Sequence, residues 1–204
     1  MLIPPIPRPP VATAPPVLEF KGSRLGMSLD EWRGAPFPGA TTDVRPVCTS
    51  DVADPSRLGL QVEASAAHPP GLVCTYAFEG PSGPRAPIPI SDGFYARRAR
   101  YVFQDGRLSE ISFSTSPNAF DAVVARIDAQ IGPAKETTRD TARVFERTLP
   151  RVRMRWSGPA GVVTLVDPAT TGFLVVDYAA QPSPSGVPAA QSSAARSSHT
   201  QPPG

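Results

Sequence analysis

The chain has 204 residues, a formal net charge of +2 and 40% hydrophobic residues. That length suits one domain with a substantial core, and so small a charge gives no basis for a dedicated nucleic-acid binder. No apolar run approaches the length of a membrane span.

In chain order, residues 1–17 are mostly Pro, Ala and short apolar residues. They lack a periodic apolar pattern that could offset the entropy of ordering, and are predicted to be disordered. Prolines interrupt the apolar stretch a secretory leader needs, and Pro15 follows the cleavage-like Ala12-Thr13-Ala14. Two readings stay open: a cytosolic chain, or a start inside a longer precursor. Residues 18–179 are expected to form a single α+β domain, and residues 180–204 a disordered Ser/Pro/Ala tail.

Within 18–34, Gly22 and Gly26 punctuate a turn. Ser28 and Glu31 have capping-box spacing, and Met27 and Trp32 occupy the positions of a hydrophobic staple. The spacing predicts a short helix over about 29–34, closed by Gly34 and Pro36. The staple accounts for Trp32; the alternative is a surface anchor.

Strands are predicted at 44–49, 58–63 and 72–79. Cys48 and Cys74 lie in two of these runs, too far apart in sequence for a metal motif. If the strands pair, the two can form a disulfide; the alternative is a pair of buried thiols. A disulfide would favour an oxidising compartment. Residues 80–92 read as a Pro/Gly loop, kept extended around Ile88 and Ile90 and suited to a sheet edge.

Residues 97–133 read as strand, tight turn, strand and capped helix. A three-residue loop, Gln104-Asp105-Gly106, would place Ala99, Tyr101 and Phe103 on one face with Ile111 and Phe113, and set Arg100 opposite Glu110. A two-residue loop around Asp105-Gly106 is the competing register. Ser116 and Pro117 can open a helix over about 117–131. Phe120, Val123, Val124, Ile127 and Ile131 form its apolar stripe, Gly132-Pro133 ends it, and the aromatic hairpin face is its expected partner. Four more strands follow, at 141–149, 151–157, 161–167 and 172–178, the first two flanking a Leu149-Pro150 corner. In the second, Val152, Met154 and Trp156 point one way and Arg151, Arg153 and Arg155 the other. The expected fold is therefore α+β, an antiparallel β-sheet with one main helix on one face, built as two loosely similar halves.

Chemistry is sparse. The two histidines, His68 and His199, lie in a Pro-flanked loop and in the tail. No nucleophile elbow, phosphate loop or zinc spacing is present, so no catalytic residue, metal ligand or cofactor is assigned. One constellation stands out. If their strands share a sheet face, Arg98, Arg100, Arg151, Arg153 and Arg155 form a basic platform for an acidic protein, a lipid head group or nucleic acid. The alternative is a face kept soluble by charge. The platform lacks base-stacking aromatics, which disfavours nucleic acid; another protein is the expected partner.

The segments GSRLGMSLDEWRG and YVFQDGRLSEISF…FDAVVARIDAQIGPAKE, with the Trp156 strand, resemble small proteobacterial envelope proteins of the SmpA/OmlA type and β-lactamase-inhibitor-like modules. The chain departs from the lipoproteins in having no lipid-acceptor Cys near its start. The resemblance implies a non-enzymatic envelope (periplasmic) protein that binds or scaffolds another protein. The alternatives are an enzyme with a pocket between helix and sheet, and a cytosolic accessory protein binding an anionic partner.

Overall fold

The computed structural model describes residues 17–36, 44–60, 71–80, 83–87, 90–91 and 94–181. The predicted disordered ends fall outside these residues, apart from Val17 and residues 180–181, and so do His68 and His199. The fold is α+β. Its strands are β1 (Glu19–Phe20), β2 (Ser23–Arg24), β3 (Val44–Cys48), β4 (Leu72–Gly80), β5 (Gly83–Pro87), β6 (Ile90–Ser91), β7 (Tyr95–Gln104), β8 (Arg107–Thr115), β9 (Glu136–Val144), β10 (Arg147–Gly158), β11 (Gly161–Asp167) and β12 (Leu174–Ala179). The helices are α1 (Leu29–Gly34) and α2 (Phe120–Ile131).

The main sheet runs β3-β4-β7-β8-β12-β11-β10-β9, with β5 beside β4 and β6 beside β7. Every pairing is antiparallel. The order has an internal logic. Strands β3, β4, β7 and β8 follow α1 and run inward in chain order, whereas β9 to β12 follow α2 and run inward from the opposite edge. The last strands of the two halves, β8 and β12, meet at the centre. A two-fold rotation normal to the sheet would generate this arrangement, which agrees with the two similar halves expected from the sequence.

The β7–β8 hairpin differs from the expected register. Its turn is the two-residue Asp105-Gly106, with φ of 51° and 74°, the doubly left-handed form that favours Asp-Gly. Gln104 pairs with Arg107 and Phe103 with Leu108. The register then slips, so that Val102 faces Glu110, Tyr101 faces Ile111, and Arg100 faces Ser112 rather than Glu110. Ser109 is the extra residue. Leu108 on one side of it and Ile111 and Phe113 on the other have opposite parity, and the bulge lets all three enter the core.

The capping box at α1 is formed: Glu31 N donates to Ser28 Oγ at 3.2 Å, and Ser28 N to Glu31 Oε2 at 2.7 Å. Met27 and Trp32 are both buried. The preceding segment is pinned to the start of β8 by Gly26 N to Leu108 O and Leu108 N to Met27 O, each 2.8 Å. Trp32 thereby sits 4.9 Å from the Tyr101 ring and 5.5 Å from Phe103, taking the aromatic face expected to receive α2. Phe20 stacks on Phe113 at 4.4 Å. Helix α2 follows a 3-10 turn (Pro117–Ala119) capped by Ser116, and buries Val123 and Ile127. It lies toward β10, where Asp128 accepts a 2.7 Å hydrogen bond from Trp156 Nε1.

Two further expectations are corrected. The predicted strand at 58–63 begins instead in a 3-10 turn (Pro55–Leu58) that Asp54 caps and Gly59 closes with φ of 66°; residues 61–63 lie outside the described residues. Leu149-Pro150 is not a corner. Pro150 lies within β10 opposite Thr141, and the turn is Phe145-Glu146. Proline is tolerated there because the ladder with β11 ends at Val152–Asp167, leaving that side of β10 open.

Candidate binding face

Strand alternation places the core on one side of the sheet. The opposite side is covered at the β3–β4 end by a second, smaller core of Val47, Leu58, Leu60, Val73 and Ala77. From β7 to β10 it carries short and charged side chains. One continuous row reads Arg100, Ser112, Asp177, Thr164, Arg155, Glu136, each residue the register partner of the next. A neighbouring row reads Ser114, Val175, Val166, Arg153, Thr138.

Arg100 therefore shares a face with Arg151, Arg153 and Arg155. They form two banks rather than one platform: three strands lie between β7 and β10, which separates the banks by about 19 Å at ordinary strand spacing. Arg98 sits at a second register slip in β7, with a left-handed φ of 52°, so alternation does not fix its direction. The floor between the banks is short-chained, with Ser112 Oγ donating to Asp177 Oδ1 at 2.6 Å.

The banks differ in charge balance. Arg151 binds Asp140 in a fork, Nε to Oδ1 at 2.7 Å and Nη2 to Oδ2 at 2.8 Å. Arg153 joins the same carboxylate, and Arg155 lies 3.7 Å from Glu136. The Arg151 hydrogen bond is the main reason the Asp140 carboxyl is held down to about 2, and Asp140 in turn raises the Arg151 guanidinium. Arg98 and Arg100 have no ion pair or side-chain hydrogen bond among the described residues. Among the described residues, Arg100 is thus the unpaired cation on the β7 bank of this face.

Cys48 and Cys74 are register partners and are disulfide-bonded. The bond lies in the core beside Trp32, Tyr76 and Tyr101. Trp32 Nε1 donates to the buried Ser23 Oγ at 3.2 Å. Burial pushes the Tyr76 phenol up to about 12 and raises Tyr101 as well, so neither is an acid–base group near neutral pH. The helix–sheet interface is filled by Phe20, Phe113, Ile127, Trp156 and Tyr178. Clefts open at its rim: one along α2 between Glu19, Ala125 and Arg126, the other at the start of α2 beside Tyr95 and Arg97. Among the described residues, no cluster of His, Cys, Asp or Glu could hold a metal ion, and no helix is long and apolar enough to cross a membrane.

Sequence reasoning placed the β10 arginines on the correct side but missed their carboxylate partners, because β9 begins at Glu136 rather than Thr141. It also passed over Phe145, which is 82% exposed, because the predicted strand at 141–149 ran through it. No family model, curated protein or solved structure matches the chain.

Proposed function

We propose that the chain is a non-enzymatic binding module that holds another protein on the open face of the sheet between β7 and β10. One observation carries this reading: the Arg100–Ser112–Asp177–Thr164–Arg155 row, with short side chains at its centre and an Arg100 that has no ion pair among the described residues at its β7 end. The partner presents acidic groups to Arg100 and a low-relief surface to the floor. The buried disulfide supports an exported, envelope location, since such bonds persist in oxidising compartments.

The test is affinity capture from an envelope fraction with the wild-type chain and with an Arg98→Glu/Arg100→Glu variant. The variant should lose the captured partner while melting at the wild-type temperature, because neither arginine has an ion pair among the described residues. Undiminished capture of the same partner would refute the assignment.

A further inference from the structure

The tip of the β9–β10 hairpin carries an unusual residue for its turn. Lys21-Gly22 and Asp105-Gly106 both place glycine at a left-handed position. At Phe145-Glu146 only the first residue is left-handed, with φ of 54°. A two-residue hairpin turn of that form calls for glycine at its first position, and a bulky residue there is strained. The same Phe145 is the most exposed large hydrophobic residue described, at 82%. Strain and exposure thus coincide on one side chain, and nothing within the fold gains from either.

Arg143 and Arg147 stand just behind it, both exposed and both without an ion pair among the described residues. They occupy opposite faces of the ribbon, since Arg143 is the register partner of Thr148 and Arg147 that of Val144. Arg143 lies two residues behind Phe145, about 7 Å at strand rise, and Arg147, level with Val144, about half that. These offsets suit an aromatic tip that enters the acyl boundary while the arginines stay at head-group level.

We infer that this hairpin tip docks end-on to an anionic bilayer surface, Phe145 entering the acyl boundary while Arg143 and Arg147 meet lipid phosphates on either side. A planar anionic surface satisfies arginines on both faces of a ribbon at once. A protein pocket would need acidic groups on two opposed walls. Glu146, at the same tip, opposes the contact and keeps it reversible. The inference uses a different surface from the open sheet face and does not depend on the partner proposed there.

The test is co-sedimentation of the full chain with vesicles of phosphatidylcholine alone and of phosphatidylcholine mixed with phosphatidylglycerol. The chain should bind the anionic vesicles and lose that binding as salt rises. Phe145→Gly should weaken binding about 10-fold, the loss expected for withdrawing one phenyl group from apolar contact, without lowering the melting temperature. Arg143→Gln and Arg147→Gln should each weaken it about 5-fold, and Glu146→Gln should strengthen it. Absence of vesicle binding, equal binding to neutral vesicles, or full binding by Phe145→Gly overturns the inference; so does capture of Phe145 in a protein pocket by a partner that blocks vesicle binding.

Discussion

Removing the Cys48–Cys74 bond tests the first half of the sheet most directly. β3 is a five-residue edge strand interrupted by Pro46, which cannot donate to the ladder. Its pairing with β4 is closed by the disulfide at Cys48–Cys74. The cysteines are separated by 26 positions, and restricting a loop of that length in the unfolded chain is worth about 3.5 kcal/mol at 25 °C in the chain-entropy model. Cys48→Ala/Cys74→Ala also deletes two buried sulfur atoms from the core around Trp32 and Tyr101, so the measured loss should be at least that large. Urea unfolding followed by tryptophan fluorescence gives the number. The wild-type chain under reducing conditions should match the double variant to within the cavity contribution. A loss below about 1 kcal/mol would refute the reasoning, because the bond would then not be constraining the unfolded ensemble.

Three other outcomes follow from single contacts. Gly161→Ala should destabilise strongly, by about 2–4 kcal/mol in chemical denaturation, because a Cβ there would lie 2.2 Å from Ala179 O and the backbone φ is +147°. Ser23→Ala should cost about 1–3 kcal/mol, since it leaves the buried Trp32 Nε1 without its acceptor; a Ser23→Thr variant that keeps the hydroxyl should recover part of the loss in the same melt. Asp140 has a folded-state pKa of about 2, below its ordinary 3.8, so the stability it adds is present above about pH 4 and is lost as pH falls toward 2. Asp140→Asn should flatten the acid limb of a stability–pH profile in that window, and an unchanged limb would show that the Arg151 fork does not couple to folding.

The hairpin and α2 were legible because period-two alternation and helical spacing are local signals. The hairpin register was less so. Tyr101 and Phe103 cannot share a face with Ile111 and Phe113 without an extra residue, and parity alone does not say whether that residue sits in the turn or in β8. It sits at Ser109, which frees Asp105-Gly106 to adopt the turn those residues prefer. Pro150 misled because proline usually breaks a strand, whereas here β11 no longer pairs alongside it. The β10 arginines could be assigned to one face from sequence, but their distance from Arg100 could not. It depends on the order in which β8, β12 and β11 intervene, and that order arises from long-range pairing rather than local pattern. Asp140 was missed for a related reason: ETTRD carries no apolar alternation, since it forms the sheet's edge.

The inward-running order of the two halves gives the open face its character. β8 and β12 meet at the centre, so the floor is made of their outward residues, Ser112 and Ser114 from one and Val175 and Asp177 from the other. A scaffold with near two-fold topology would by itself offer a partner two docking orientations related by that rotation. Charge removes the degeneracy. The second half contributes Asp140 and Glu136 as partners for its own arginines, while among the described residues Arg98 and Arg100 of the first half have no such carboxylate. The acidic partner proposed above would gain from one orientation and not from the other, so its specificity would arise from breaking the symmetry at the side-chain level while the backbone keeps it. Transplanting the imbalance should therefore turn the partner around. With Asp140→Asn releasing the β10 bank and Arg98→Glu/Arg100→Glu cancelling the β7 bank, cross-links from a given partner residue should move from β7 to β10. If the cross-links stay on β7, shape rather than charge sets the orientation.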